Sequence, residues 1–514
     1  MTTLRAPFGR GRIFRALHAF REARLLPRAR VANRRLDLVR ESSKPLARLA
    51  AEQVFSRVAG ATPIEGNSLR LLRDAAENYP AWLDAIAQAR QTIHFENYIF
   101  ASDEAGRQFR DALAAKAHQG VAVRVLYDWM GCLTKTRPGF WRPLQRAGAE
   151  VRVFNRPRLD SPFGWLSRNH RKTISVDGEI GFVSGLCVGR DWVGDPAHHI
   201  APWRDTGVEV RGPAVADLDA AFAQSWAYAG GTAIPLMPAH RSDAPAAGEV
   251  SLRVIGSKPN TLGMYRFDQL IAALARERLW LTDAYFVGTT LYVQALIDAA
   301  RDGVDVRLLV PGSSDVPIAK ALSRAGYRPL LEAGIRVFEW NGPMLHAKTA
   351  VADGRWARIG STNLNLASWA GNWELDVAIE DPGFAYQMEV MFEEDLANAT
   401  EIVLEQQRVH SAGPRPRPRR GSPGRLTAGA VGFGSAVGAA ITNHRALGPA
   451  EARVMAAGGV VLLMVAVLAL LLPRLIVTPV ALLACWIATT LLVRAVRLRV
   501  SARRAAEPAE SSPS

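Results

Sequence analysis

Cysteine is almost missing from this chain: Cys132, Cys187 and Cys485 are the only three in 514 residues, and no two form a Cys-x-x-Cys pair. That excludes a disulfide framework, argues against a zinc site and makes a reducing compartment the default. The basic N-terminus is not followed by an apolar run of the length a secretory signal needs, which excludes that reading. Its Arg-rich amphipathic character suits an interfacial helix, with a mitochondrial transit segment as the weaker alternative. Basic charge is missing from the middle of the chain. Of the net +15, residues 1–48 carry +10, 409–426 carry +5 and 427–514 carry +5, which leaves about −5 for 49–408. The middle is therefore no bulk nucleic-acid-binding surface, and the basic ends suit an anionic membrane.

What the chain does have is enough length for about three units and an ordinary globular composition, 49% apolar and 22% charged. Its boundaries read as follows. Residues 1–60 form a basic helical segment, 62–240 a first lobe, 250–408 a second lobe, and 409–426 an extended Pro/Arg linker. A membrane-associated region follows at 427–500, and a disordered tail at 501–514. Within 427–500 stand two uncharged apolar stretches, 455–472 and 475–493, separated by Pro473-Arg474. At ~1.5 Å per residue each reaches ~27 Å as a helix, about the hydrocarbon thickness. Arg445 and Arg453 precede them, and Arg494, Arg497, Arg499, Arg503 and Arg504 follow. This arrangement predicts a helical hairpin with both flanks cytoplasmic; a hairpin dipping into one leaflet is the alternative.

The two lobes are copies of one pattern. "IAQARQTIHFENYIF" (86–100) parallels "IAALARERLWLTDAYFV" (271–287), "HQGVAVRVLYD" (118–128) parallels "RDGVDVRLLVP" (301–311), and "AGAEVRVFN" parallels "AGIRVFEWN". Helix and strand alternate in each, which predicts two duplicated α/β lobes facing each other, each with a largely parallel, helix-covered sheet.

Each copy then presents a histidine and a lysine two apart on an alternating segment, "HRKTISV" and "HAKTAVA", followed by an Asp-Gly hairpin turn. With seven Lys and ten His, composition predicts about 0.14 His-x-Lys pairs, whereas two occur at matching places in a repeat. One copy is a half-site, and two facing copies make a whole one. Two imidazoles can serve as nucleophile and as general acid and base at a phosphodiester. Two lysines and neutral donors can balance charge on its oxygens, so no metal is needed. The candidate catalytic set is therefore His170, Lys172 and Asp177 with His346, Lys348 and Asp353. Within it the two aspartates sit in the turns, far along the strand from the histidines, and read as structural turn-formers. The small pairs Ser184-Gly185 and Gly360-Ser361 bring backbone and hydroxyl donors close to phosphate. Asp205 and Glu374, each just ahead of an apolar strand, are the candidates to orient the imidazoles.

His170-x-Lys172-x4-Asp177 and His346-x-Lys348-x4-Asp353-x6-Gly360-Ser361-x-Asn363 resemble the paired HKD motifs of the phospholipase D superfamily, over roughly 62–408. "ENYIF", "WRDTGVEVRGPAV", "AYFV" and "GSTNLNLASW…NWELDVAI" look most like its bacterial cardiolipin synthases and related phosphatidyltransferases. The resemblance implies the active site at the interface of the lobes, a phosphohistidine intermediate and no cofactor. It also implies that Ser361 and Asn363 bind phosphate oxygens and that the substrate is a phospholipid such as phosphatidylglycerol; the Arg flanks of the apolar pair predict catalytic lobes on the cytoplasmic side of the inner membrane. Cys187 departs from the pattern, since the family has Asn there. Three alternatives stay open on the residues alone: hydrolysis to phosphatidic acid, a nucleic-acid phosphodiesterase, and a non-catalytic membrane scaffold.

Overall fold

A computed structural model describes residues 52–157, 166–234 and 245–404, with helical positions scattered between 460 and 492. The chain divides into two compact units, Met1–Val54 and Phe55–Ser514. Of the first only 52–54 are described, and they are helical. Residues 1–51 of the expected N-terminal segment, the linker and the tail lie outside the described residues, as does most of the hairpin expected at 455–493; 52–59 are helical. Among the described residues no helix is long and apolar enough to cross a membrane.

The second unit contains both lobes. Their strands are β1 (Ile64–Arg73), β2 (Thr92–Asn97), β3 (Ala122–Asp128), β4 (Glu150–Phe154), β5 (Thr173–Val176), β6 (Ile180–Ser184) and β7 (Thr206–Arg211) in the first. The second has β8 (Val250–Ser257), β9 (Arg278–Thr282), β10 (Asp305–Pro311), β11 (Arg336–Trp340), β12 (Thr349–Ala352), β13 (Trp356–Gly360), β14 (Glu374–Glu380) and β15 (Ala399–Ile402). All of them join one sheet in the order β15-β11-β10-β9-β12-β13-β14-β8-β1-β7-β6-β5-β2-β3-β4. The order reads alike outward from β1 and β8, which pair antiparallel at the centre. The duplication is therefore expressed as two half-sheets fused edge to edge.

The expected parallel character holds only for β2-β3-β4 and β9-β10-β11. The other neighbours are antiparallel. The Asp-Gly turns cause this. A two-residue turn can join only antiparallel strands, and each hairpin, β5-β6 and β12-β13, inserts between the parallel set and the returning strand.

Long amphipathic helices cross between the parallel strands. Glu104–His118 follows β2 and is capped by Asp103, whose carboxylate accepts from Gly106 N at 3.0 Å. Thr290–Arg301 follows β9, with Thr289 as its cap. They bury apolar faces on either half-sheet, around Trp82, Phe95, Phe109 and Phe182 in the first lobe and Phe267, Leu281, Tyr292 and Trp369 in the second. A third cluster, with Val208, Val210, Leu252, Val254 and Val377, runs through the junction and makes the two lobes one core. The β1-β8 register shifts between Ile64 and Asn67. The buried Asn67 amide fills that irregularity, donating to Ile64 O at 2.8 Å and Val250 O at 3.2 Å.

Candidate active site

The two histidines are held in place by backbone pairing across the lobes. His170 N donates to Trp373 O at 2.8 Å and Trp373 N to Arg168 O at 2.8 Å; in the mirror arrangement His346 N donates to Arg204 O at 2.7 Å and Arg204 N to Met344 O at 2.9 Å. The sequence reading ran each strand through its His-x-Lys. In the structure β5 and β12 start one residue after the lysine, because the preceding backbone is paired with the opposite lobe instead.

The residue after each pairing partner holds the ring. Glu374 lies 2.9 Å from His170 Nδ1, and Asp205 lies 2.8 Å from His346 Nδ1. Each carboxylate comes from the lobe opposite its histidine. Glu374 also accepts from the Ser361 hydroxyl at 2.6 Å and Asn372 Nδ2 at 3.1 Å, and Asp205 from the Trp192 indole at 3.0 Å and Thr206 N at 2.9 Å. Both carboxylates are fully buried, and His170 and His346 keep only 7% and 5% of their surface. A carboxylate on Nδ1 selects the tautomer that leaves a lone pair on Nε2.

Lys172 and Lys348 are buried, and each Nζ donates to the carbonyl of its own motif histidine. Burial lowers the pKa of both, Lys348 to about 8. Burial, then Lys172, Lys348 and Arg168, hold His170 well below the ordinary imidazole value. His346 falls to about 4, by burial and Lys348 against the opposing pull of Asp205. Burial would raise Asp205, but His346 and Lys348 outweigh it and keep this carboxyl ionised, whereas burial wins at Glu374 and raises it. Both rings are therefore neutral in the free protein.

The motif aspartates are not among these groups. Asp177 accepts from Arg90 N, Gln91 N and Thr92 N at 2.7–2.8 Å, and Asp353 from Arg276 N, Glu277 N and Arg278 N at 2.9–3.2 Å. Both adopt left-handed backbone, φ 55° and 53°, at the end of the hairpin away from the histidines. Their place in the catalytic set is corrected to one of anchoring the turn to the start of β2 and β9.

The small residues are engaged too. Gly185 N donates to Thr206 O at 3.1 Å, and a Cβ on Gly185 would come within 2.1 Å of Asp205 Oδ1. Its value is room for that carboxylate, not a free donor. Ser184 Oγ accepts from Leu186 N at 3.2 Å. The Ser361 hydroxyl lies 2.6 Å from Glu374 and accepts from Leu375 N at 2.9 Å, so it is engaged with the carboxylate that holds His170. Asn363 differs. It is 4% exposed, its Nδ2 makes only a long 3.4 Å bond to Ser368 Oγ, and its Oδ1 has no hydrogen-bond partner. Cys187 is buried, and its field is shared with Lys172, Asp205 and Lys348.

Several residues at the site escaped the sequence reading. Tyr98 packs edge-on against His170, with ring centroids 4.9 Å apart, and lies under Lys172; Tyr285 does the same for His346 and Lys348, at 5.9 Å. Tyr285 OH donates to Asp315 at 2.7 Å. Trp192 and Trp203 close the other side of His346. Tyr98 and Tyr285 each sit just past the first repeat strand, and that parallel was a usable signal. Arg171 was also missed. It is fully buried, reaching Glu374 O at 3.1 Å and Ser257 O at 3.4 Å in the second lobe and Ala221 O at 2.8 Å in the first. The only hint of it was the contrast of Arg in one motif with Ala347 in the other.

Residues 82–190 and 269–396 match the family model described as the cardiolipin synthase, PLD-like domain. Cardiolipin synthase 1 of Bacillus anthracis is 32% identical over 413 residues, covering 77% of this chain and 80% of that protein. Cardiolipin synthase A of Pseudomonas aeruginosa (strain LESB58) is 35% identical over 373 residues, 70% of this chain and 75% of its own. Among solved structures, phosphatidylserine synthase of Haemophilus influenzae Rd KW20 superposes with a TM-score of 0.55 at 16% identity, over 68% of this chain and 90% of that one. The last shares the fold.

Proposed function

This chain belongs to the cardiolipin synthase, PLD-like family, and we propose that it is a phosphatidyltransferase that joins a phosphatidyl group from phosphatidylglycerol to the hydroxyl of a second lipid, releasing glycerol. The observation that carries this reading is the pair of buried histidines, each with its Nδ1 on a carboxylate of the opposite lobe.

His170 is the nucleophile. Burial and then three nearby cations keep it unprotonated, so Nε2 attacks phosphorus and the P–O bond to the glycerol headgroup breaks. His346 is the acid and base. The arriving phosphodiester places an anion beside it, which adds to the ionised Asp205 and favours the imidazolium. It gives its Nε2 proton to the departing glycerol oxygen. The neutral ring then takes the proton of the acceptor hydroxyl as that oxygen attacks the phosphohistidine, and the N–P bond breaks. Lys172, Lys348 and the under-bonded Asn363 amide balance the non-bridging oxygens. The aromatic walls of Tyr98, Tyr285, Trp192 and Trp203 leave little room for bulk water, which favours a lipid hydroxyl over hydrolysis.

The apolar stretches 455–472 and 475–493 fit an anchor in the inner membrane, and their Arg flanks place the lobes on its cytoplasmic side. The test is purified full-length protein in detergent with phosphatidylglycerol. Cardiolipin and glycerol are expected; phosphatidic acid would replace transfer with hydrolysis, and no turnover by folded protein would sink both.

A further inference from the structure

Six exposed aliphatic side chains lie close in sequence to groups already placed at the active site, and they come evenly from the two lobes. In the first lobe Leu133 (53% exposed) directly follows Cys132, whose thiol donates to the carbonyl of Tyr98 at 3.7 Å; Leu166 (48%) precedes Arg168 by two residues; and Val193 (48%) follows Trp192, which packs on His346. In the second lobe Leu291 (66%) follows the Tyr285 segment. Ile318 (40%) lies three residues beyond Asp315, the partner of Tyr285 OH, and Leu366 (46%) lies three beyond Asn363. All six stand on connections that leave the sheet at its histidine end, whereas the Asp177 and Asp353 turns mark the opposite end.

Single exposed aliphatic side chains are ordinary, but six on the connections at one end of one sheet are not. Arginines stand nearby as well. Arg137, Arg156 and Arg190 are exposed on the same connections. Of the acids there, Asp191 is paired with Lys135, Asp195 with His198, and Asp315 is bonded to Tyr285 OH. Exposed arginines thus stand at this end of a stretch of chain whose total is acidic.

We propose that this rim is a membrane-docking surface: the lobes seat the active-site mouth on an anionic bilayer, aliphatic side chains among the acyl chains and arginines at the headgroups. The inference rests on the lipid-transferase reading and adds where and how the lobes meet their substrate. A buried pair of histidines explains why a seat is needed. A headgroup must rise out of the bilayer plane to reach Nε2, and a surface that excludes water around the opening lets it do so without its acyl chains crossing solvent.

The experiment is backbone hydrogen exchange on the full chain, with and without vesicles of equal phosphatidylglycerol and phosphatidylcholine. Exchange is expected to slow at least fivefold in 129–136, 287–292 and 362–368, and to stay unchanged in the turns at 177–179 and 353–355. Protein that cosediments with vesicles yet shows no such protection would overturn the proposal, since the C-terminal apolar stretches would then be holding it alone. Slowing at both ends alike would overturn it too. The triple variant Leu133→Ser, Leu291→Ser, Leu366→Ser should raise KM on vesicles at least tenfold while kcat/KM on soluble dihexanoyl-phosphatidylglycerol stays within about twofold. Equal losses on both substrates would make the leucines structural. Protection of the rim without turnover of either lipid would leave the docking surface standing and remove the transferase reading.

Discussion

Glu374 holds the Nδ1 of His170 at 2.9 Å, although the two residues belong to different lobes. Asp205 and His346 repeat the relation in reverse at 2.8 Å. Neither half of the duplication therefore holds its own motif histidine with its own carboxylate.

The carboxylates can be removed with little change in shape. Asp205→Asn and Glu374→Gln each remove the acceptor that fixes the tautomer, and the new amide can donate to Nδ1, driving the proton to Nε2. A fall in kcat of about 10²- to 10⁴-fold is expected for each, with KM within a few fold. Retention of more than a tenth of the wild-type kcat would show that the rings do not depend on the opposite lobe.

The two histidines should differ in what they trap. With radiolabelled phosphatidylglycerol, His346→Gln is expected to allow slow formation of a phosphoenzyme that persists, while His170→Gln forms none. The reverse pattern would exchange the roles assigned to them. Acid-labile, base-stable label in the trapped species is the signature of phosphohistidine.

Lys348 has a pKa of about 8 because burial disfavours its charge. Above that pH the ammonium is lost and with it one counter-charge to the phosphate. A plot of log kcat/KM is expected to fall above pH 8, approaching a slope of −1. The acid limb should be governed by His170, which must be unprotonated to attack and is held well below the ordinary imidazole value by burial and the nearby cations. A flat profile to pH 9.5 would mean that Lys348 is not required as a cation.

Arg171 hydrogen-bonds to carbonyls of both lobes from a fully buried position. Arg171→Ala leaves those carbonyls, and the charge of Glu96 facing it, without compensation. A loss of about 3–5 kcal/mol in stability is expected by urea unfolding monitored through tryptophan fluorescence. A change under 1 kcal/mol would show that water takes over the site.

Cys187→Asn replaces a weak donor with an amide beside Lys172 and Lys348. Lipid turnover should be unchanged or raised. A large loss with the fold intact would reveal a requirement for the thiol itself.

Much of this was legible in the sequence. The repeat, the Asp-Gly hairpins and the His-x-Lys spacing fix local geometry, because turns and alternation act over a few residues. Asp205 and Glu374 could be singled out as acids that lead apolar strands. What the sequence did not carry was their exchange between lobes, since that depends on β1 and β8 fusing two half-sheets and bringing residues about 140 and 204 positions apart into contact. The mixed sheet was misjudged for a related reason. The strand pattern reports burial, and a fully buried antiparallel strand looks the same as a parallel one.

By itself, then, the sequence determined the residue types that do the chemistry, their twofold repetition and the turns that present them, all consequences of short-range rules. Only the tertiary structure decided which acid lies on which histidine, that Ser361 and Gly185 lie against those carboxylates, and that exposed leucines from both lobes stand at the histidine end. Those are long-range relations, set by how a shared core closes over two lobes, and no local pattern encodes them.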